Sequence, residues 1–256
     1  MLARPRKRFG QHFLTDRHYL ARIVAAIDPR PGDAMVEIGP GTGLLTAGLA
    51  PRLERLHVVE IDRDLAAALR GAFPPDKVIV HEADALQFDF RALPERLRVV
   101  GNLPYNVSTP ILFRVAEITE RVRDCVFMLQ KEVVERMLAA PGTPEYGRLS
   151  VMLQYRFSMA LVLKVPPGAF TPPPKVDSAV VRMQPLPRDR ARASDEELFA
   201  KIVTAAFSQR RKTLRNAVKA WVTAEAFAAA GIDAQRRGET LSVAEFVALA
   251  DAARAP

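Results

Sequence analysis

The turn Glu37-Ile38-Gly39-Pro40-Gly41-Thr42-Gly43 constrains this chain more than any other stretch. The apolar run 35–38 precedes it and the helix-forming run 44–50 follows it, so it reads as strand, glycine turn and helix. Glycine lets a backbone approach a ligand closely, because no Cβ intervenes. The same alternation continues downstream. Strands are expected over 57–60, 78–80, 98–100 and 125–129, with helices over 64–72, 109–116 and 131–139. Short strands alternating with helices argue a doubly wound parallel sheet. Upstream, a helix is expected from Thr15 or Asp16, with Leu20, Ile23, Val24 and Ile27 on its buried face and Pro29 and Pro31 ending it.

Two further strands, 157–165 and 176–183, are expected on either side of a Pro-rich loop, and 141–144 reads as a mobile loop. Residues 185–193 read as a Pro- and Arg-rich linker, and the pattern from Asp195 onward is all helical. The expected organisation is a larger α/β domain over 1–185 and a small all-α domain over 194–256.

The formal net charge is +8, which points to a polyanionic partner, nucleic acid before membrane. One cysteine, Cys125, excludes an intrachain disulfide and a cysteine metal cluster. It sits in an apolar run and reads as a buried, inert thiol. No apolar run approaches the roughly 18 residues of a membrane span. The basic N-terminal stretch (Arg4, Arg6, Lys7, Arg8) lacks the apolar run of a signal peptide, so a cytoplasmic protein is expected.

The glycine turn is not a dinucleotide fingerprint, because Leu44 stands where G-x-G-x-x-G needs its last glycine. It is not a phosphate loop either, since no lysine follows the glycines. The E-x-G-x-G-x-G form, with an acid on the strand, is instead the pattern of methyltransferases that use S-adenosylmethionine. Glu37 suits a cationic amino-acid group, Glu60 at the end of the second strand suits ribose hydroxyls, and Asp84 after the third suits an adenine amine. The fourth strand runs into Gly101-Asn102-Leu103-Pro104-Tyr105-Asn106. An amide oxygen, a rigid proline and an aromatic face stand together where open α/β sheets bind ligands. That combination suits a planar base whose exocyclic amine is held by hydrogen-bond acceptors.

With these motifs in place, the chain resembles the ribosomal RNA adenine dimethyltransferases, especially the bacterial enzymes of the small subunit. The resemblance includes 9–14, Glu37 to Gly43, Asn102 to Asn106, Phe170 to Ser178 and Phe207 to Asn216. It implies a Rossmann-like doubly wound sheet of the class I S-adenosylmethionine-dependent methyltransferases with a small all-α C-terminal domain. It implies dimethylation of the amines of two adjacent adenosines in the 3'-terminal hairpin loop of small-subunit (16S) ribosomal RNA, coupled to subunit biogenesis. The small subunit and its RNA are the expected partners of a monomer that needs no metal.

The implied cofactor residues are His12, Leu14, Glu37, Gly39, Gly41, Gly43, Glu60, Ile61, Asp84, Ala85 and Asn102. Asn102 and the Leu103 carbonyl are the expected amine acceptors, with Tyr105 on one face of the base and Phe170 on the other. Arg211, Lys212, Arg215 and Lys219 are expected on the cationic side of a helix that buries Leu214, Val218 and Trp221, and they form the expected RNA surface with the basic N-terminal residues. A large-subunit or DNA substrate, and an assembly factor whose catalysis is secondary, stand as alternatives.

Overall fold

The structure, a computed structural model, describes residues 12–187, 190, 192–209 and 212–254. In chain order the elements are β1 (Phe13–Leu14), α1 (Arg17–Ile27), β2 (Met35–Ile38), α2 (Leu44–Leu49), β3 (Leu56–Glu60), α3 (Arg63–Ala72) and β4 (Val78–Glu82). They continue with β5 (Leu97–Asn102), α4 (Ser108–Ala116), β6 (Val122–Gln130), α5 (Lys131–Leu138), α6 (Arg148–Gln154), β7 (Phe157–Val165), β8 (Phe170–Thr171) and β9 (Ser178–Pro185). The last are α7 (Glu196–Ser208), α8 (Leu214–Val218), α9 (Ala224–Ala230) and α10 (Val243–Arg254).

The chain divides into two compact units, one of Met1–Val134 and Ser158–Pro185, the other of Glu135–Phe157 and Leu186–Pro256. The segment 135–157, which sequence reading assigned to the α/β domain, groups with the helices of the second unit.

In the first unit a seven-stranded sheet runs β4-β3-β2-β5-β6-β9-β7. The neighbours from β4 to β6 pair in parallel. β9 runs antiparallel to β6, so the sheet is mixed rather than wholly parallel. The winding reverses between β2 and β5, because β3 and β4 lie on one side of β2 and the later strands on the other. β2 is buried at all four positions and β5 at its first five, the run of burial expected of strands covered on both faces. Asp16 caps α1, its Oδ1 accepting from the His18 and Tyr19 amides at 2.8 and 3.2 Å.

A buried ion cluster holds the amino-terminal ends of β5 and β6. The Arg98 guanidinium donates to Asp124 Oδ1 at 2.7 Å, Asp124 Oδ2 at 2.9 Å and Asp33 Oδ2 at 2.6 Å. It also donates to the carbonyls of Ile27 (2.6 Å) and Asp28 (3.1 Å) at the end of α1. Those bonds offset the cost of burying the charge.

The second unit has its own apolar cluster, built on Tyr155, Phe199, Ile202, Leu214, Val218 and Phe246. Its α6 was not foreseen: Arg148–Gln154 is one short apolar run between a turn and a strand, without the length that marks a helix. In the stretch expected as a linker, Leu186 and Ala193 are each held by a hydrogen bond. The Leu186 amide donates to the Arg156 carbonyl at 2.9 Å, and the Ala193 amide to the Tyr155 hydroxyl at 3.1 Å. No helix among the described residues is long and apolar enough to cross a membrane.

Candidate active site

A cavity opens at the carboxyl ends of the strands where the winding reverses, the usual ligand position in an open α/β sheet. The strand ends and the turns after them supply its walls. Glu37 and Ile38 come from β2, Glu60 and Ile61 from β3 and the turn after it, Asp84 and Ala85 from the turn after β4, and Asn102 to Val107 from β5 and its loop. His12, Phe13 and Leu14 close it from β1 and the residue before it.

Gly39, Gly41 and Gly43 all have positive φ, at 67°, 57° and 78°. At Gly41 a Cβ would stand 2.9 Å from the Phe13 ring, so both backbone angle and space require glycine there. Gly101 is tighter still: a Cβ would lie 2.3 Å from the Ile38 carbonyl oxygen. Close contact between β2 and β5 therefore fixes where Asn102 begins.

Two acids are buried in this wall. Glu37 is 1% exposed and accepts one hydrogen bond from Thr46 Oγ1 at 2.7 Å. Burial, with the Glu60 charge adding to it, pushes its carboxyl up to about 7 against the pull of Thr46. Glu60 is 4% exposed; its Oε2 accepts from the Gly41 amide at 3.0 Å and its Oε1 from the Asp62 amide at 2.9 Å. Burial raises its carboxyl as well, although those two amides favour the ionised form. Each Glu60 oxygen retains a lone pair for a ligand hydroxyl. A cation bound here would offset the buried negative charge, and Ile61, 47% exposed, offers an apolar surface for a flat ring. The donor set therefore fits a ligand with a cationic end, a ribose and an adenine. Asp84 also lines the cavity, with Oδ1 accepting from the Leu86 amide at 2.9 Å to stiffen its turn.

Asn102 Nδ2 donates to the His12 carbonyl oxygen at 3.0 Å. A carbonyl can only accept, so this bond fixes the amide with Oδ1 as its remaining acceptor. The His12 ring stacks on Tyr105, with centroids 5.5 Å apart and planes at 28°. His12 Nδ1 donates to the Pro172 carbonyl oxygen at 2.9 Å, since a carbonyl can only accept. The Tyr105 hydroxyl shares a 2.5 Å hydrogen bond with Ser178 Oγ. Burial raises the phenol above its usual range, so it stays neutral. The Leu103 amide donates to the Met128 carbonyl at 3.1 Å and holds the loop to β6.

Phe170, expected as the second stacking face, lies in the core in this structure. Its ring is 3% exposed in the apolar cluster with Leu14, Ile23 and Val24, and it does not line the cavity. The cause is strand alternation: β8 pairs antiparallel with β1, Leu14 opposite Phe170, and this turns Phe170 inward and leaves Thr171 exposed. Sequence reasoning missed Thr46 and Ser178. Ser178 meets Tyr105 across 73 residues, and no local pattern signals that contact.

In the second unit α8 spans only five residues. Lys212 lies before it and Lys219 caps it, with Lys212, Arg215 and Lys219 all exposed. Trp221, expected on the buried face, is 39% exposed, because the helix ends before reaching it. Arg211 and the basic residues Arg4, Arg6, Lys7 and Arg8 lie outside the described residues.

The family model described as ribosomal RNA adenine dimethylase matches residues 3–254. A protein of Aromatoleum aromaticum named ribosomal RNA small subunit methyltransferase A is 58% identical over 255 residues, covering 99% of this chain and 96% of the relative. Among solved structures, a dimethyladenosine transferase from Plasmodium falciparum aligns with a TM-score of 0.77 at 25% identity, over 93% of this chain and 96% of that one. The 23S rRNA methyltransferase ErmE aligns with a TM-score of 0.71 at 27% identity, over 94% and 98%.

Proposed function

The chain belongs to the ribosomal RNA adenine dimethylase family, and from that premise we propose that it dimethylates the exocyclic amines of two adjacent adenosines in the 3'-terminal hairpin loop of small-subunit (16S) ribosomal RNA. The methyl donor is S-adenosylmethionine, which when bound supplies an electrophilic methyl group on a sulfonium. Glu37 is suited to its cationic end, Glu60 to its ribose, and Asp84, Ile61 and Ala85 to its adenine; Gly39, Gly41, Gly43, His12 and Leu14 form the remaining walls.

The observation that carries the reading is the orientation of Asn102. Its Nδ2 is held by the His12 carbonyl, so Oδ1 is the atom offered to a substrate amine. An adenine amine is a weak nucleophile because its lone pair is shared with the ring. Acceptors at Asn102 Oδ1 and the Leu103 carbonyl draw its two protons aside and aim the nitrogen. Asn102 takes up no proton itself, so its contribution is placement, a class of effect worth up to about 7–11 kcal/mol. Tyr105, half-buried and tied at its hydroxyl to Ser178, is the stacking face for a base taken out of its own stack. Lys212, Arg215 and Lys219, exposed in the helical unit, are suited to phosphates, as is the basic N-terminal stretch. The protein works in the cytoplasm as a monomer.

Labelled methyl donor supplied with immature small subunits, large subunits and naked DNA tests the reading. Label in dimethyladenine of the small-subunit RNA is expected. Label confined to large subunits or DNA contradicts the substrate assignment. An Asn102→Ala protein that transfers no methyl yet still restores subunit maturation would make assembly the main role.

A further inference from the structure

Trp221 is the chain's one tryptophan, and it stands outside the apolar cluster of the second unit. It forms part of the wall of an open groove of ≈ 740 Å³, which also takes in Lys201 and Ser208 of α7, Asn216 of α8, and Lys212 and Lys219. Glu197 lines the groove too, paired with Lys201 at 2.7 Å. Both members of that pair are exposed, so it is weakly held, and Lys212 and Lys219 leave the groove with net positive charge.

A tryptophan face beside ammonium and amide groups suits one class of ligand better than others. Every unpaired base has a flat face to stack on an aromatic ring, and its flanking phosphates seek cations. A base in a duplex has neither face free. A side-chain amide can also reach the edge of an unstacked base. We propose that this groove binds single-stranded RNA, with one unpaired base stacked on Trp221 and its phosphates held by Lys212 and Lys219. The proposal rests on the reading of the chain as an RNA methyltransferase, and to the phosphate contacts already given to Lys212 and Lys219 it adds a stacking face at Trp221 that selects an unpaired strand.

The lone tryptophan makes the test local. The full chain is titrated with a five-nucleotide single-stranded RNA and with a blunt duplex of the same sequence, and Trp221 fluorescence is followed. Strong quenching by the single strand and little by the duplex is expected. With a dye-labelled strand, Trp221→Leu is expected to weaken binding by about 5- to 150-fold, the range that matches a base–aromatic stack. Trp221→Phe, which keeps a ring, is expected to retain most of the affinity. No quenching, equal quenching by duplex, or wild-type affinity in Trp221→Leu overturns the proposal. Methyl transfer to small subunits by the same preparation separates the two readings. Transfer without quenching sinks the groove alone, whereas quenching without transfer sinks the catalytic reading and leaves the groove standing.

Discussion

The side-chain amide of Asn102 donates to the main-chain carbonyl of His12 at 3.0 Å, joining residues ninety positions apart across the mouth of the cavity. The bond does not depend on the His12 side chain. It depends on Asn102 being an amide, able to donate on one side and accept on the other. Asn102→Asp keeps the acceptor but places a carboxylate against a carbonyl oxygen. A loss of about 10²-fold in kcat is expected, since a misplacement near 1 Å costs that much. Single-turnover kinetics at saturating methyl donor measures it, and wild-type kcat in the variant would show that the tether to His12 does not position the amide.

Glu37 carries a pH signature. Its carboxyl titrates near 7 in the folded chain against an ordinary 4.5, so the folded state holds its proton more tightly than the unfolded one. Stability from this group is full below about pH 4.5 and is lost as pH rises through 7. Glu37→Gln removes that loss and is expected to stabilise the ligand-free protein by about 3 kcal/mol at pH 8, with little effect at pH 5. Denaturant unfolding at the two pH values measures it. The same variant is expected to bind the cationic methyl donor more weakly.

His57 and His81 act in the opposite direction. Their rings lie parallel within 14°, with His57 Nδ1 and His81 Nε2 at 3.0 Å. Burial holds both below the usual 6.5, with the neighbouring ring's charge adding to the effect at His57. A group whose folded affinity for protons is lowered costs stability as pH falls below its unfolded value. The protein is therefore expected to lose stability below about pH 6.5, and His81→Gln is expected to flatten that fall. An unchanged slope in the variant would exclude the pair as its source.

How much could be read beforehand follows from the range of the interactions involved. The glycine turn, Glu60, Asp84 and the loop after β5 were legible because each depends on a few adjacent residues and on the strand that delivers them. The pairing of β1 with β8 was not, since it joins two-residue strands more than 150 positions apart. That pairing sets the direction of Phe170, which packs among Leu14, Ile23 and Val24. Trp221 failed for a local reason: apolar spacing continues past the point where α8 ends. The antiparallel β9 was unreadable because alternation of strand and helix gives order without direction.

Arg98 holds the sheet below the site. Its side chain is 5% exposed between Asp33 and Asp124. Arg98→Met leaves both carboxylates buried without their main partner and is expected to cost about 3–5 kcal/mol. Thermal unfolding checks this, and pairing the change with Asp124→Asn is expected to recover part of the loss.

The central claim is that Asn102 presents an adenine amine for two methyl transfers. The most direct measurement is the nucleoside content of small-subunit RNA, digested after incubation with the protein and S-adenosylmethionine and resolved by mass. The wild-type chain is expected to produce N6,N6-dimethyladenosine and Asn102→Ala none. Absence of that nucleoside with the wild type, or its formation at an equal rate by Asn102→Ala, would contradict the account.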